Sequence, residues 1–377
     1  MRPVYVAGVG IHPFGRFADR SVTALGMHAV RAALAEAGVG RGGFQAAFCG
    51  TVYSGVAAGH KVLTALGLSG VPTVNVEAGC ASGGAALALG AAQVASGRYD
   101  TVLVFGMEKM PRGIIRSSFF EPWREEAGLS PAPAYFALRA QRLMMESDVR
   151  LEDLARVSEK NHRHGVDNPY AMYQKALSVE EILASPVVCE PLRLLMLCAP
   201  NEGAAAIVLT ARPSGARAVR VLATALRSHH AGSVLGEHTP MSGVADAAVS
   251  TPTEMAARDA YEESGLGPAD LDVVELQDTD AGREILSGEE LGLCARGSGG
   301  RWVRDGGGEM RARRPVNPSG GLLSKGEPLG ASALGQVVEL TWQLRAEAGR
   351  RQVAGARVAL AHTVGRGANA CVVILGR

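Results

Sequence analysis

The chain has no long apolar run, no excess of charge of either sign and few aromatic residues. Lys and Arg number 38 and Asp and Glu number 37, so the formal net charge is +1. This balance gives no electrostatic reason to expect nucleic-acid binding. Gly or charged residues break every apolar run well before the roughly 18 residues that a membrane span needs, and the N-terminus is typical of a first strand, not of a signal peptide. We therefore expect a soluble, cytoplasmic protein that binds neither nucleic acid nor membrane.

Cysteine is also sparse, and its spacing excludes two kinds of site. The six cysteines form no C-x-x-C pair and have no histidine at ligand spacing, so neither a zinc site nor a disulfide framework is predicted, and we expect no metal. Five are expected to be packing residues, because free cysteine usually behaves as a small hydrophobe. Those five are Cys49, Cys189, Cys198, Cys294 and Cys371.

The sixth, Cys80, has a different setting. Val74 and Val76 alternate as in a buried strand, Ala85–Ser96 is a small-residue helix and Thr101–Phe105 is a second apolar strand. Between the first strand and the helix, glycines flank Cys80 where the chain must turn sharply. The backbone N–H groups and dipole of a helix N-terminus favour a thiolate, so this pattern indicates a candidate nucleophile.

The 377-residue sequence contains an internal repeat. The motif VN…SGG begins at Val74 and again at Val316, and each copy is followed by a helix, a glycine and an apolar strand. Strands alternating with helices favour an α/β fold with mainly parallel sheets covered by helices. We predict two similar halves, residues 1–212 and 213–377, with a largely helical lobe inserted at about 111–200. Equivalent turns would then meet, which places the loop 362–367 opposite Cys80.

Several long motifs occur in an order that resembles one family, the thiolases, and specifically the sterol-carrier-protein (SCP-x) type. The resemblance implies a five-layered αβαβα fold of two similar halves, a loop lobe over the pantetheine of coenzyme A, and a homodimer. It implies acyl-CoA as substrate and no separate cofactor. The matching segments are GCASGGAA around Cys80, GMEKM from Gly106, KNHRHGVDNPY from Lys160, PNEGAAAIVL from Pro200, NPSGGLLSKGEPLGASALGQ from Asn317 and HTVGRGANA from His362.

In such enzymes an acyl group passes from a CoA thioester to the cysteine, here Cys80, and then to a carbon nucleophile, which splits one hard acyl transfer into two easier steps. This chain departs from the family in two motifs. Gly-Glu-Pro, with Glu327, replaces Gly-His-Pro, and Gln277-Asp278-Thr279-Asp280 replaces His-Asp-Cys-Phe. The histidine of the last loop is kept as His362.

These changes alter the expected chemistry. A carboxylate at Glu327 would repel a thiolate, but it could act as a base or, if protonated, donate to an oxyanion. Gln277 can still donate a hydrogen bond to a substrate oxygen, whereas Thr279 cannot replace a proton-carrying thiol. On a strand, Asp278 and Asp280 would share one face, opposite Gln277 and Thr279, and which face meets the cavity is open.

Three hypotheses follow. The first is a divergent acyltransferase, with Cys80 acylated and His362 or Glu327 moving protons. The second is an aldol-type lyase in which Glu327, Asp280 or His362 handles a hydroxyl or α-proton, working with a small OB-fold, zinc-ribbon partner as some relatives do. The third is a CoA-binding subunit without catalysis. The candidate catalytic residues are Cys80, Gln277, Asp280, Glu327 and His362, and the candidate CoA contacts are Ser324, Lys325 and Gly367.

Overall fold

The structure is a computed structural model and describes residues 2–115, 122–128, 130–213, 215–229, 249–365 and 369–377. Its strands are β1 (Val4–Gly15), β2 (Ala46–Gly50), β3 (Thr73–Val76), β4 (Thr101–Lys109), β5 (Val187–Cys189), β6 (Leu192–Arg193), β7 (Glu202–Thr210), β8 (Val219–Ser228), β9 (Val273–Leu276), β10 (Val358–Val364) and β11 (Asn369–Gly376). Its α-helices are α1 (Val22–Ala37), α2 (Ala58–Leu66), α3 (Ser82–Ala95), α4 (Pro122–Glu126), α5 (Ala132–Glu146), α6 (Leu151–Gly165), α7 (Val179–Ala184), α8 (Pro252–Ser264), α9 (Ala281–Glu290), α10 (Gly299–Arg304), α11 (Gly321–Lys325) and α12 (Ser332–Arg345).

Nine strands form one sheet in the order β3-β2-β4-β7-β1-β8-β11-β10-β9. The order reads symmetrically from the junction of β1 and β8, which pair antiparallel with Val4 opposite Val221. At one end Val74 of β3 pairs parallel with Phe48 of β2, and at the other Val316 forms a parallel bridge with Val274 of β9. The two VN…SGG copies thus occupy equivalent positions, which confirms the prediction of two similar halves.

The helices complete five layers. α1 and α2 pack on strands of the first half, and α8 packs on β8 and β11 of the second half. α3 and α12 contact each other and strands of both halves, so they form the central layer. Apolar side chains fill this centre, where Leu87 of α3 and Leu334 of α12 are fully buried. The predicted five-layered α/β arrangement is confirmed.

The direction of the strands differs from our expectation. Parallel pairs occur only where helices connect neighbouring strands, as between β2 and β3, β2 and β4, and β9 and β10 in the described residues. β1, β7, β8 and β11 run antiparallel to their neighbours. The prediction of mainly parallel sheets is therefore wrong. A hairpin joins β10 to β11, and the inserted lobe lets β7 return antiparallel beside β4.

Local sequence signals set the helix ends well. Ser21 caps α1 by accepting a hydrogen bond from Ala24 N–H, and Gly38 ends it in the left-handed conformation. Thr251 and Glu254 form a capping box at the start of α8, and Gly265 ends that helix in the same way. In both helices the capping residues are adjacent to the helix in the sequence.

The lobe between β4 and β7 contains α4 to α7 and the β5–β6 hairpin. Its core packs against the start of the second half, since Leu154 and Leu192 share a buried cluster with Ala281 and Ile285 of α9. The lobe thereby places its last residues beside β9. Across the described ranges, no helix combines the length and apolar character needed to cross a membrane.

Candidate active site

A cavity of about 850 Å³ opens beside Cys80. This volume is in the range of small-molecule sites. Its wall combines the Cys80 turn, the lobe, the end of β9 and the turn before α12. Lining residues include Tyr53, Glu77, Cys80, Met110, Ile114, Tyr135, Phe136, Arg139, His162, Tyr173, Leu195, Cys198, Gln277, Thr279, Arg283, Leu323, Glu327 and Val364.

Cys80 lies on the turn between β3 and α3, two residues before the helix begins, and its side chain is largely buried. Gly79 adopts a positive φ of 58°, which glycine tolerates best. Ser82 stabilises the turn, because its Oγ accepts from Ala78 N–H at 2.9 Å and donates to Gly79 O at 2.6 Å. The predicted strand, turn and helix around Cys80 are confirmed, although β3 is a half-exposed edge strand and Val74 is 45% exposed.

The turn that carries Glu327 is held against the end of the lobe. Glu327 N–H donates to Ala199 O at 2.9 Å, and Asn201 Nδ2 donates to Lys325 O at 2.8 Å. A Cβ on Gly326 would lie 2.0 Å from Asn201 Nδ2, and Gly326 has a φ of 81°. The glycine of the Gly-Glu-Pro motif is therefore required by this close approach.

The Glu327 side chain accepts hydrogen bonds from Gln277 and from Cys198. Gln277 Oε1 accepts from the backbone N–H of Val364, which fixes the orientation of the amide, so Nε2 is the atom that donates to Glu327 Oε1 at 2.7 Å. Cys198 Sγ donates to Glu327 Oε2 at 3.5 Å. In this arrangement Glu327 is an acceptor, as a carboxylate is, which favours the base that the sequence allowed over the protonated oxyanion donor.

Burial raises the pKa of the Cys198 thiol well above its usual value, and the neighbouring charges of Glu327, Asp278 and Cys80 raise it further. Cys198 therefore carries its proton at neutral pH, as its bond to the Glu327 carboxylate requires. The expectation that Cys198 is a packing residue is wrong, since its thiol lines the cavity. No sequence motif indicated this role. The weak signal was its position two residues before the PNEG motif.

β9 ends at Leu276, and the Gln277–Asp280 segment that follows it alternates between the cavity and the protein interior. Gln277 and Thr279 line the cavity. Asp278 is turned away, and its carboxylate accepts from Leu322 N–H at 2.6 Å and Leu323 N–H at 3.1 Å at the start of α11. Asp280 is fully buried, accepts from Arg283 N–H at 3.0 Å as the N-cap of α9, and forms an ion pair with Arg139. The structure thus places Asp280 behind the cavity wall.

His362 lies within β10 and is fully buried, without lining the cavity. Its Nε2 is 3.0 Å from Thr253 Oγ1, which also accepts from Arg283 at 3.0 Å. Burial and the Arg283 charge hold the pKa of His362 well below its usual value, so the ring is neutral. Thr253 links His362 to Arg283, which lines the cavity.

Two of the three predicted CoA contacts are buried away from the cavity, and the third lies outside the described residues. Ser324 is buried, and its hydroxyl donates to Tyr173 O at 2.6 Å. Lys325 is buried and forms an ion pair with Glu275 at 3.1 Å. Neither lines the cavity. Gly367 lies outside the described residues.

Sequence reasoning missed several side chains that the lobe and α9 bring to the cavity. Arg139 lies over the Phe136 ring at 5.1 Å, and Arg283 pairs with Glu290. His162 also lines the cavity, and burial lowers its pKa to about 4. In the described part of the chain, no group of three His, Cys, Asp or Glu side chains is arranged to hold a metal ion.

Family models match both parts of the chain. Residues 4–213 match the thiolase N-terminal domain, and residues 233–377 match the thiolase C-terminal domain-like family. Sterol carrier protein 2 of Bos taurus is 36% identical over 394 residues, covering 99% of this chain and 72% of that protein. Acetyl-CoA acetyltransferase of Methanothermobacter thermautotrophicus is 37% identical over 393 residues, covering 100% of this chain and 100% of that protein. The benzoylsuccinyl-CoA thiolase subunit BbsB of Thauera aromatica is 36% identical, covering 98% of this chain and 96% of that protein.

Solved structures agree. An Ltp2-ChsH2(DUF35) aldolase matches with a TM-score of 0.87 and 25% identity, covering 99% of this chain and 97% of that chain. Human mitochondrial 3-ketoacyl-CoA thiolase matches with a TM-score of 0.72 and 17% identity over 100% of this chain and 99% of that chain, a likeness of fold. With two family models, full-length relatives and this shared fold, the chain belongs to the thiolase family.

Proposed function

We propose that the chain is a thiolase-type acyltransferase, in which an acyl group passes from a CoA thioester to Cys80 and then to an acceptor during formation or cleavage of a C–C bond. The observation that carries the proposal is the position of Cys80, on a strand-to-helix turn that opens into a cavity also lined by Glu327 and Cys198. A relative named acetyl-CoA acetyltransferase, 37% identical over the whole chain, supports it.

The surroundings of Cys80 suit covalent catalysis. The nucleophile lies at the N-terminus of α3, where the helix dipole favours a thiolate and a developing oxyanion. Most of the cavity wall is apolar, with aromatic and aliphatic side chains from the lobe, and this favours an acyl chain over a polar group. Glu327, as an acceptor, could take a proton from carbon or from a thiol but would not hold a thioester oxygen.

A second candidate function is aldol-type cleavage of a CoA thioester. Two observations favour it: the hydrogen bonds that make Glu327 an acceptor suit removal of a hydroxyl proton, and the structure with a TM-score of 0.87 is that of an aldolase. That aldolase contains a second, DUF35 component, and BbsB is named as a subunit. We therefore propose that a small partner protein, of the OB-fold, zinc-ribbon kind, assembles with this chain.

The experiment is intact-protein mass spectrometry after incubation with short, branched, aromatic and long acyl-CoAs. We expect a mass increase equal to one acyl group, absent in Cys80→Ala and retained in Cys294→Ala, which removes a half-buried thiol outside the cavity. Binding of CoA esters without an adduct from any donor would refute acyl transfer to Cys80. The partner-dependent lyase would then be tested with β-hydroxyacyl-CoA substrates. Binding with no turnover in either assay would support the subunit without catalysis.

A further inference from the structure

We infer that Cys198 and Glu327 form one proton-transfer pair, in which the Cys198 thiol is the acid and base for the reacting carbon and the Glu327 carboxylate holds that thiol. Two observations carry this. The sulfur of Cys198 lies 3.5 Å from Glu327 Oε2, and both side chains line the cavity that contains Cys80. The inference rests on the proposed acyl transfer and names a second thiol for it.

The backbone fixes Cys198 from two sides. Its N–H donates to Thr279 O at 2.9 Å, and the preceding Leu197 forms an antiparallel bridge with Asp280. On its other side, Pro200 bridges to Glu327. The end of the lobe therefore lies between the segment that follows β9 and the Glu327 turn. This segment therefore places the Cys198 thiol beside Thr279. The hydroxyl of Thr279 is too weak an acid to transfer the proton itself.

Neighbouring groups prepare Cys198 for this role. The carboxylate beside it and its burial favour the protonated thiol, so Cys198 is a proton donor in the resting site. Once the proton leaves, the thiolate lies beside a carboxylate and is a strong base, which recovers a proton readily. Gln277 keeps Glu327 in place by donating to its other oxygen.

In the cleavage direction the atoms balance as follows. The Cys80 thiolate adds to the 3-oxo carbon of a 3-oxoacyl-CoA, and the C2–C3 bond breaks with its electron pair moving to C2. C2 takes the proton of Cys198, which releases a shortened CoA ester and leaves an acyl thioester on Cys80 and a thiolate on Cys198. Coenzyme A loses its thiol proton to solvent, from which Cys198 regains one, and the sulfur of coenzyme A takes the acyl group from Cys80, restoring the Cys80 thiolate.

The first test separates carbon acid–base chemistry from acylation. Enzyme acylated by the most effective donor of the panel is incubated with acetyl-CoA in D₂O, and deuterium in the acetyl group is measured by mass spectrometry. We expect Cys198→Ala and Cys198→Ser to form the Cys80 adduct within about threefold of the unaltered rate but to lose exchange by about 100-fold or more. Cys294→Ala is the matched control and should change neither.

The serine variant distinguishes proton transfer from structure, because a hydroxyl keeps the hydrogen bond to Glu327 but is a far weaker acid than a thiol. Exchange at the unaltered rate in Cys198→Ser, or no exchange in unaltered enzyme that does form the adduct, would overturn the assignment. Absence of the adduct would instead refute the proposed function itself.

A second test needs no substrate. The alkylation rate of Cys198 by iodoacetamide is followed against pH in unaltered protein and in Glu327→Gln, with peptide mapping to identify the site. Removing the negative charge should move the alkylation profile to lower pH, since the carboxylate raises the thiol pKa. Identical profiles would show that the two side chains are not paired and would overturn the inference.

Discussion

At Glu327, the side chain and the turn that carries it are held by separate contacts. Its turn is fixed by Gly326 and by bonds to Ala199 and Asn201, none of which involves the carboxylate. The carboxylate accepts hydrogen bonds from Gln277 Nε2 and Cys198 Sγ. A side chain that only donates hydrogen bonds could not pair with these two donors. Gln277 and Glu327 are therefore matched to each other as a hydrogen-bonded pair.

His162 gives the protein a pH-dependent stability. Its pKa is lowered to about 4 by burial, so the folded state keeps the ring neutral where the unfolded chain binds a proton. Stability should thus be lost as pH falls from about 6.5 toward about 4, by roughly 1–2 kcal/mol at about pH 5. Urea unfolding of His162→Gln against the unaltered chain should show a smaller loss on acidification. An equal loss in both would mean that another group carries the acid sensitivity.

For single residues, the sequence predicts a place in the site only where the residue belongs to a recognisable motif. Cys80, Gln277 and Glu327 were proposed from recognisable segments and line the cavity, whereas the sequence left open that Thr279 faces it and Asp280 does not. Cys198 could not be placed there, because its position depends on a contact with Thr279 and Glu327 far along the chain. Asp280 was proposed for chemistry, but its carboxylate is committed to the N-terminus of α9 and to Arg139.

Among the elements, the two central helices depend on glycine. A Cβ on Gly84 of α3 would lie 2.8 Å from the sulfur of Cys371 in β11, and one on Gly83 would lie 3.0 Å from Gly330 O. The small-residue pattern after Cys80 therefore reflects close packing against the second half. The sequence pattern predicted these helices, whereas strand direction depended on connections that span the whole lobe.

The junction between β4 and the start of α12 is the tightest of these contacts. A Cβ on Gly106 would lie 1.9 Å from the carbonyl oxygen of Gly330, three residues after Glu327. Gly106→Ala should therefore destabilise the fold by about 1–3 kcal/mol and displace the Glu327 turn. Urea unfolding measures the first effect and the rate of Cys80 acylation the second. Gly40→Ala, where nothing lies within 4 Å, is the control and should change neither; similar stabilities for the two variants would contradict this account.

For the whole molecule, the exposed edge of the sheet supports the homodimer that the family resemblance implies. β3 is the terminal strand, and a terminal strand offers unpaired backbone groups to another chain. We expect light scattering to give a molar mass twice the 39.1 kDa of a single chain. Val74→Lys, which places a charge on this edge, should shift the protein toward monomer, whereas Val187→Lys, at a similarly exposed position in the lobe, should not. A monomeric unaltered protein would refute the homodimer.

The two similar halves could be predicted because they repeat their motifs, whereas the five layers were expected from the family resemblance. The division near residue 212 stays a prediction. Which loops meet at the cavity could not be derived from either half alone, since its wall takes residues from both halves and the lobe.

The first strand has a consequence for synthesis on the ribosome. β1 lies in the middle of the sheet, yet both of its neighbours, β7 and β8, come from residues 202–228. At ordinary rates of translation it waits about 10–40 s for them, with both edges unpaired. An apolar strand in that condition is prone to associate with other nascent chains. The N-terminus is thus made first and completed late, and slow expression at low temperature, or a chaperone that binds β1, should raise the yield of native protein.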